Sequence, residues 1–428
     1  MTPRAFPAAI VLVAALFFAP ELFGNRLAVT GNLARWLPWA ETATEEQRQG
    51  PNVSLDCNLS YYPRREILHR AWRDGEIPFW NPYSFGGTPF LGDIQAGVLY
   101  PPNWILFPLE PGRQMGWFLF FHVAWAGIGV YLLARRCGVP PGIAWLAGCA
   151  FMMNGFFAKH YGQPTFLATV SWMPWLLYAG LGVLRSPTPG RAAGLALAGA
   201  GSFLAGQPQL AILGGYATAV VLGAAYFTRG RADRAPLFPV LVALVVAAGV
   251  AGLIVAAQLL PTRALAETSA RAALPYATVL SGALHPVEGL RLLVPEFFGS
   301  PLTGDEWSPL FPRGDGFYLR NQMSSVFVGT PLFLLAVWGM VAPRTRRRAL
   351  PFTLLFVAAV ALAFGSPLAR WAYEVAPGFR FSRIDRAGSL VVLAQIVPAA
   401  LGASDLAAAG GRARRAFGIG AAALLIAL

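Results

Sequence analysis

The chain has 428 residues, 56% of them hydrophobic and only 12% charged, with a mean hydropathy of +0.53; an average soluble domain carries about 25% charge. This composition excludes a soluble enzyme and predicts an integral membrane protein. The net charge is +13, from 33 Lys plus Arg against 20 Asp plus Glu, yet the arginines are dispersed in short segments with no aromatic interleaving, which argues against a nucleic-acid partner.

In chain order, the N-terminal segment MTPRAFPAAIVLVAALFFAPELF predicts a first helix over 7–23. A signal peptide is the alternative, but no small-x-small cleavage site follows. Further apolar runs at 116–134, 141–158, 166–184, 192–206, 209–227, 236–260, 324–342, 351–369 and 388–406 suit a hydrocarbon core of ~30 Å. The run 416–428 is too short to span, so it is either interfacial or continues beyond Leu428. The predicted architecture is an all-α polytopic membrane protein of about 10–11 helices, one transmembrane domain over 1–428.

Basic clusters stand at Arg135-Arg136, Arg185 with Arg191, Arg229-Arg231-Arg234, Arg344-Arg346-Arg347-Arg348 and Arg412-Arg414-Arg415. Each follows an even-numbered span and Arg4 precedes the first, so the positive-inside rule puts the N-terminus and these loops in the cytoplasm. The less regular segments 24–115, 159–165, 261–323 and 370–387 then lie outside, the largest outer loops being 24–115 and 261–323. Of the cysteines, Cys57, Cys137 and Cys149, only Cys57 falls outside, which leaves no intrachain disulfide framework. No GxxxxGKS/T or GxGxxG loop exists on the inner side to hold a nucleotide phosphate. No internal repeat supports a carrier built of inverted halves.

The first outer loop is the most informative stretch, being polar, aromatic and turn-rich. Pro63 opens a predicted interfacial helix to about Asp74, with Ile67, Leu68, Ala71 and Trp72 on one face and Arg64, Arg65, Arg70 and Arg73 on the other. Asp56 can serve as a general base or cap a helix. Asp93, after Gly92, is a second candidate base or a turn residue. His160 and His285 can orient a substrate or satisfy local backbone, and their spacing gives no metal site. Gln163, Gln207 and Gln209 line a sugar pocket or mark kinks at Pro164 and Pro208. Arg380, Arg383 and Arg386 are spaced three apart, which would stack them on one face of a helical turn as a phosphate site or as headgroup anchors.

Asp56, Tyr61-Tyr62-Pro63, Gly75-Glu76-Ile77-Pro78-Phe79-Trp80-Asn81-Pro82, Gly86-Gly87-Thr88-Pro89, Gln95 and Pro101-Pro102 follow one another in an order that resembles the first outer loop of bacterial YfhO-like membrane proteins. These belong to the C-type (GT-C) glycosyltransferase superfamily. The resemblance continues through Gly162-Gln163-Pro164, Ser171-Trp172-Met173-Pro174-Trp175, Gly206-Gln207-Pro208-Gln209, His285-Pro286, Val294-Pro295-Glu296-Phe297-Phe298-Gly299, Tyr318, Val328-Gly329-Thr330-Pro331 and Phe379 to Arg386. His160 stands further from the Gly162-Gln163 turn than the family pattern would place a histidine, and the soluble C-terminal portion common in such proteins is missing.

The resemblance implies a GT-C-like bundle whose large first outer loop carries interfacial helices. It implies inverting sugar transfer from a polyprenyl-phosphate donor to an envelope polymer or glycolipid acceptor, at the outer face of a bacterial inner membrane. Asp56 matches the family's loop base, with Asp93 behind it. Arg380, Arg383, Arg386, His160, Gln163, Gln207, Gln209, His285, Glu296 and Tyr318 are the implied substrate contacts. No cofactor is implied, and a divalent metal stays open. The competing expectation is a non-enzymatic flippase of polyprenyl-linked glycans; a structural scaffold would leave the polar loops unexplained.

Overall fold

A computed structural model describes residues 5–48, 55–228, 230, 234–268, 274–299, 326–381 and 383–426. Tyr318, implicated above, lies outside the described residues. The long helices follow the apolar runs. They are α1 (Ala5–Phe17), α2 (Tyr62–Asp74), α3 (Pro111–Arg136), α4 (Pro141–Met152), α5 (Gly155–Lys159), α6 (Pro164–Ser171), α7 (Met173–Arg185), α8 (Pro189–Leu204), α9 (Pro208–Thr228), α10 (Leu237–Glu267), α11 (Thr330–Val341), α12 (Arg346–Ala363), α13 (Pro367–Val375), α14 (Gly388–Ala408) and α15 (Gly411–Ile426). Among the described residues, six helical segments are long and apolar enough to cross a membrane: Pro111–Arg136, Pro141–Lys159, Pro164–Arg185, Pro208–Thr228, Leu237–Glu267 and Ile384–Ala408. The chain is therefore an all-α polytopic membrane protein.

Proline sets many of the helix starts. α3, α4, α6, α8 and α13 each open on Pro, where the missing N–H costs nothing and φ is already helical. The run predicted over 351–369 is divided instead: α12 ends at Ala363 and α13 leaves at 88°. α13 carries Arg370, Tyr373 and Glu374 among apolar residues, the mixed composition of a helix lying at a membrane surface.

Burial ranks the helices. In α14 every residue from Gly388 to Gly402 is buried, so it runs through the centre. α10 buries only Val240, Ala243, Ala247, Val255 and Gln258; Leu244 and Ala251 pack partly against the core, and most of its other large apolar side chains are exposed. α14 meets α11 backbone to backbone. A methyl group on Gly402 would stand 2.1 Å from the Leu335 carbonyl oxygen and one on Gly339 2.0 Å from that of Pro398, so both positions require glycine, as at small-residue contacts between membrane helices.

The two ends of the bundle differ chemically. At one end Arg136 donates to the Tyr178 carbonyl, Arg191 to that of Gly182 at 3.0 Å, and Arg347 to that of Thr228 at 3.0 Å. Thr228 closes α9, whose opposite end begins at Pro208 after Gln207. The helix has 21 residues, about 31 Å at 1.5 Å per residue. A bilayer thickness thus separates the arginine-capped end from the polar end described next.

Within the first long loop, α2 forms as expected and Gly75 (φ 70°) ends it. A short antiparallel pair, β1 (Trp80–Asn81) with β2 (Thr88–Pro89), follows. The buried face of α2 differs from the expected one: Arg65, Leu68 and His69 turn inward. Arg65 is only 6% exposed, donates to Asn103 Oδ1 at 2.8 Å and lies 4.3 Å over the Phe118 ring. Periodicity of apolar residues does not see this, because an arginine buries its stem and presents its fork to a single oxygen. Burial lowers its pKa to about 10, so it stays charged at neutral pH.

Candidate functional site

The chain enters α2 through a π-turn over Cys57–Tyr61, with Asp56 immediately before it. Such turns insert one residue and re-aim the side chains around them. The Asp56 side chain makes no capping hydrogen bond. Its Oδ2 instead accepts from Gln163 Nε2 at 2.6 Å, and the residue is exposed. Asp56 is thereby fixed by a partner 107 positions away, at the turn between α5 and α6.

That turn organises the site. Gln163 leads into Pro164, and Thr165 Oγ1 stands 3.1 Å from the Tyr61 hydroxyl and accepts from Gln207 Nε2 at 3.4 Å. Gln207 Oε1 accepts in turn from Arg386 Nη1 at 3.3 Å, while the Arg386 guanidinium lies 4.6 Å over the Phe166 ring. A carboxylate from the first loop and a guanidinium from near the last span therefore flank one short segment, Gln163 to Phe166. Gly206 makes this possible. Its φ is +105°, and a Cβ there would stand 2.9 Å from Thr165 Cγ2 and 3.2 Å from the Ile94 carbonyl oxygen, so only glycine lets Gln207 approach.

His160 packs beneath the same turn, stacked between Phe156 and Phe166 with centroid distances of 4.1 and 4.9 Å. Its Nδ1 lies 2.9 Å from the Phe156 carbonyl oxygen. Burial pushes its pKa down to about 3, against the opposing pull of that hydrogen bond. It is thus a neutral ring that holds the turn in place at physiological pH. Burial likewise raises the pKa of Tyr61, leaving its hydroxyl protonated.

Asp93 is engaged on both oxygens. Oδ2 accepts from Arg64 Nε at 2.6 Å, and Oδ1 accepts from the Gln95 amide at 3.1 Å to cap the turn Ile94–Ala96. Arg64 also donates to Ser60, so this ion pair braces α2 beside the site.

The arginine triplet divides. The segment forms two separate 3₁₀ turns, Phe379–Phe381 and Ile384–Ala387, instead of one helical face. Arg380 folds back onto the carbonyls of Tyr373 and Glu374 at 3.3 and 3.4 Å. Arg383 pairs with Asp385 at 3.3 Å, and of the three, Arg386 alone hydrogen-bonds to Gln207. Gln209 donates to the Phe381 carbonyl, tying the start of α9 to the first of these turns.

His285 caps the 3₁₀ helix Pro286–Leu292 with Glu288 in a reciprocal box. Its loop is near the arginines, since a Cβ on Gly282 would stand 3.3 Å from Arg383 Nη2. Glu296 is exposed in a turn, its carbonyl accepting from Gly299 N at 2.9 Å. Among the described residues no group of three His, Cys, Asp or Glu could hold a metal ion.

The structure adds Thr165 and Phe166 to the residues singled out from sequence, and it gives Tyr61, quoted above only within the Tyr61-Tyr62-Pro63 motif, a place in the site. Thr165 directly follows the Gly162-Gln163-Pro164 motif, but nothing in the pattern says that it meets Tyr61.

Fold and site together define a multi-pass helical membrane protein with a polar, carboxylate- and arginine-bearing site at the end opposite its arginine caps. No family model matches the sequence, and no curated protein matches it either. Among solved structures, the chain is similar to the apo form of an oligosaccharyltransferase from Archaeoglobus fulgidus, with a TM-score of 0.44 and 13% identity over 94% of this chain and 51% of that one. The chain thus spans about half the length of the solved protein it matches.

Proposed function

We propose that the chain is a GT-C-type glycosyltransferase that moves a sugar from a polyprenyl-phosphate donor to a cell-envelope acceptor. The observation that carries this reading is the convergence of Asp56 and Arg386 on the Gln163–Phe166 segment. The sequence resemblance to YfhO-like proteins supports it independently. The reaction needs a base for the attacking hydroxyl and a cation for the departing phosphate. In this reading the acceptor oxygen attacks the anomeric carbon as Asp56 takes its proton. The bond from that carbon to the phosphate oxygen breaks, and the phosphate leaves with the bonding electrons, stabilised by Arg386. One carboxylate suffices because phosphate departs without protonation, unlike the leaving group in glycoside hydrolysis. Gln163 aims the base, and His160 holds Gln163.

The positive-inside rule supports a cytoplasmic location for the arginine-capped end and hence an outward-facing site in a bacterial inner membrane. Product analysis tests the reading: the purified chain in nanodiscs is offered radiolabelled polyprenyl-phosphate sugars with extracted envelope acceptors. Label moving into acceptor is the expected result. Translocation of intact lipid-linked glycan in proteoliposomes, with no transferred label under any donor, would establish the flippase alternative instead.

A further inference from the structure

A concavity lies beside this site, and nothing in the catalytic account uses it. It has a volume of about 1060 Å³ and is formed by Glu21 of the short helix Ala19–Leu22 after α1, the chain from Arg26 to Gln47, Asn58 and Tyr161. Clefts for small ligands run to ~300–1,000 Å³, so this one suits an extended ligand. Among the described residues its lining holds one carboxylate, Glu21, and one guanidinium, Arg26, which cancel in charge. Glu21 also accepts from the Tyr161 hydroxyl at 3.2 Å. The other polar lining groups are amides and hydroxyls, and Trp39 is 46% exposed there.

The walls are built in advance. Asn58 Oδ1 accepts from the Gly31 amide at 3.1 Å and its Nδ2 donates to the Gly31 carbonyl at 3.3 Å, while Asn32 Nδ2 donates to the Gln47 carbonyl at 2.9 Å. Gln47 Oε1 accepts from the Thr44 amide at 2.9 Å, which leaves its amide nitrogen to donate to a ligand. The cleft also abuts the proposed base. Asn58 is two residues from Asp56 and Tyr161 two from Gln163. Thr30, another lining residue, packs so closely on Gly162 that a Cβ there would stand 2.2 Å from its hydroxyl oxygen.

We propose that this cleft binds a neutral oligosaccharide, with Trp39 as the stacking platform and Gln47 as a hydrogen-bonding group. An uncharged, hydroxyl-rich, flat-faced ligand is what a charge-balanced lining of amides around one exposed indole complements. Its role as the acceptor rests on the sugar-transfer reading, whereas the binding does not.

Saturation-transfer NMR titrations of the full chain in nanodiscs, with maltohexaose, mannohexaose and chitohexaose as probes and a sulfated oligosaccharide as control, test it. At least one neutral probe should bind. Trp39→Ala should weaken it by about tenfold, as for loss of an anchoring aromatic, Gln47→Ala severalfold, and Trp39→Phe should restore most of the affinity. Asp56→Asn should leave binding unchanged. Binding by no neutral probe, binding by the sulfated control alone, or affinity indifferent to both Gln47→Ala and Trp39→Ala would overturn the proposal. A chain that binds glycan but never transfers sugar retains the cleft and loses the enzymatic reading; one that transfers sugar but binds no neutral probe does the reverse.

Discussion

Acidification should loosen the turn that positions Gln163, and His160 is the reason. Its ring is buried between two phenylalanines, and its pKa is pushed down to about 3 from an ordinary value near 6.5. A histidine lowered by folding binds its proton more readily in the unfolded chain. Stability is therefore constant above about pH 6.5 and falls as pH drops from there toward 3. Each unit of that window is worth about 1.4 kcal/mol, so moving from pH 7 to pH 5 removes about 2 kcal/mol. His160→Phe keeps the ring stack and removes the titration. Unfolding free energies from denaturant titrations in mixed micelles, measured for both proteins at pH 7 and pH 5, should separate by that amount on acidification. Parallel pH profiles would show that His160 is not the buried neutral group described here.

Other outcomes follow from the same geometry. Gly206→Ala places a Cβ against Thr165 at a left-handed backbone position and should destabilise by about 1–3 kcal/mol while displacing Gln207, read as a lowered denaturant midpoint and weakened donor binding. Arg386→Gln should raise the KM for the lipid-phosphate donor at least tenfold and change turnover at saturation much less, since a ground-state phosphate is held as well as a leaving one; an unchanged KM reduces Arg386 to packing on Phe166. The Cys57 thiol, which burial pushes up to about 11 and which contacts the Ala28 carbonyl oxygen at 3.6 Å, should resist maleimide at pH 7.5 in the native protein and react after denaturation.

Much of the helical layout was legible because a membrane span must satisfy its backbone internally and be apolar throughout its length. All ten full-length apolar runs have a helix within them. Hydropathy alone runs 351–369 together as one span, and the bend between α12 and α13 is marked instead by Gly365 (φ +64°), Ser366, which caps α13, and Pro367 at its first turn. Individual site residues were legible by type, and their partners were not. Asp56 reads as a base, with a helix cap as the alternative, and only the fold brings Gln163 to it. The spacing of Arg380, Arg383 and Arg386 suited a helix, but the chain uses two 3₁₀ turns there, which send Arg380 to Tyr373 and Arg386 to Gln207. Arg65 was assigned outward from its charge, yet the Phe118 ring and Asn103 together supply what a buried guanidinium needs.

The central claim is that Asp56 takes the acceptor's proton, and one comparison of variants tests it most directly. Asp56→Asn preserves shape and can still meet Gln163, but it cannot accept the proton. Sugar transfer by equally well folded Asp56→Asn and Asp93→Asn proteins is therefore measured at saturating donor. The account predicts a fall of ~10²–10⁴-fold for Asp56→Asn, the usual worth of a general base, with donor affinity retained. For Asp93→Asn it predicts lowered stability with residual transfer, because Asp93 braces Arg64 and the turn Ile94–Ala96. Near-normal transfer by Asp56→Asn would contradict the account, and a dead Asp93→Asn beside it would move the base to Asp93.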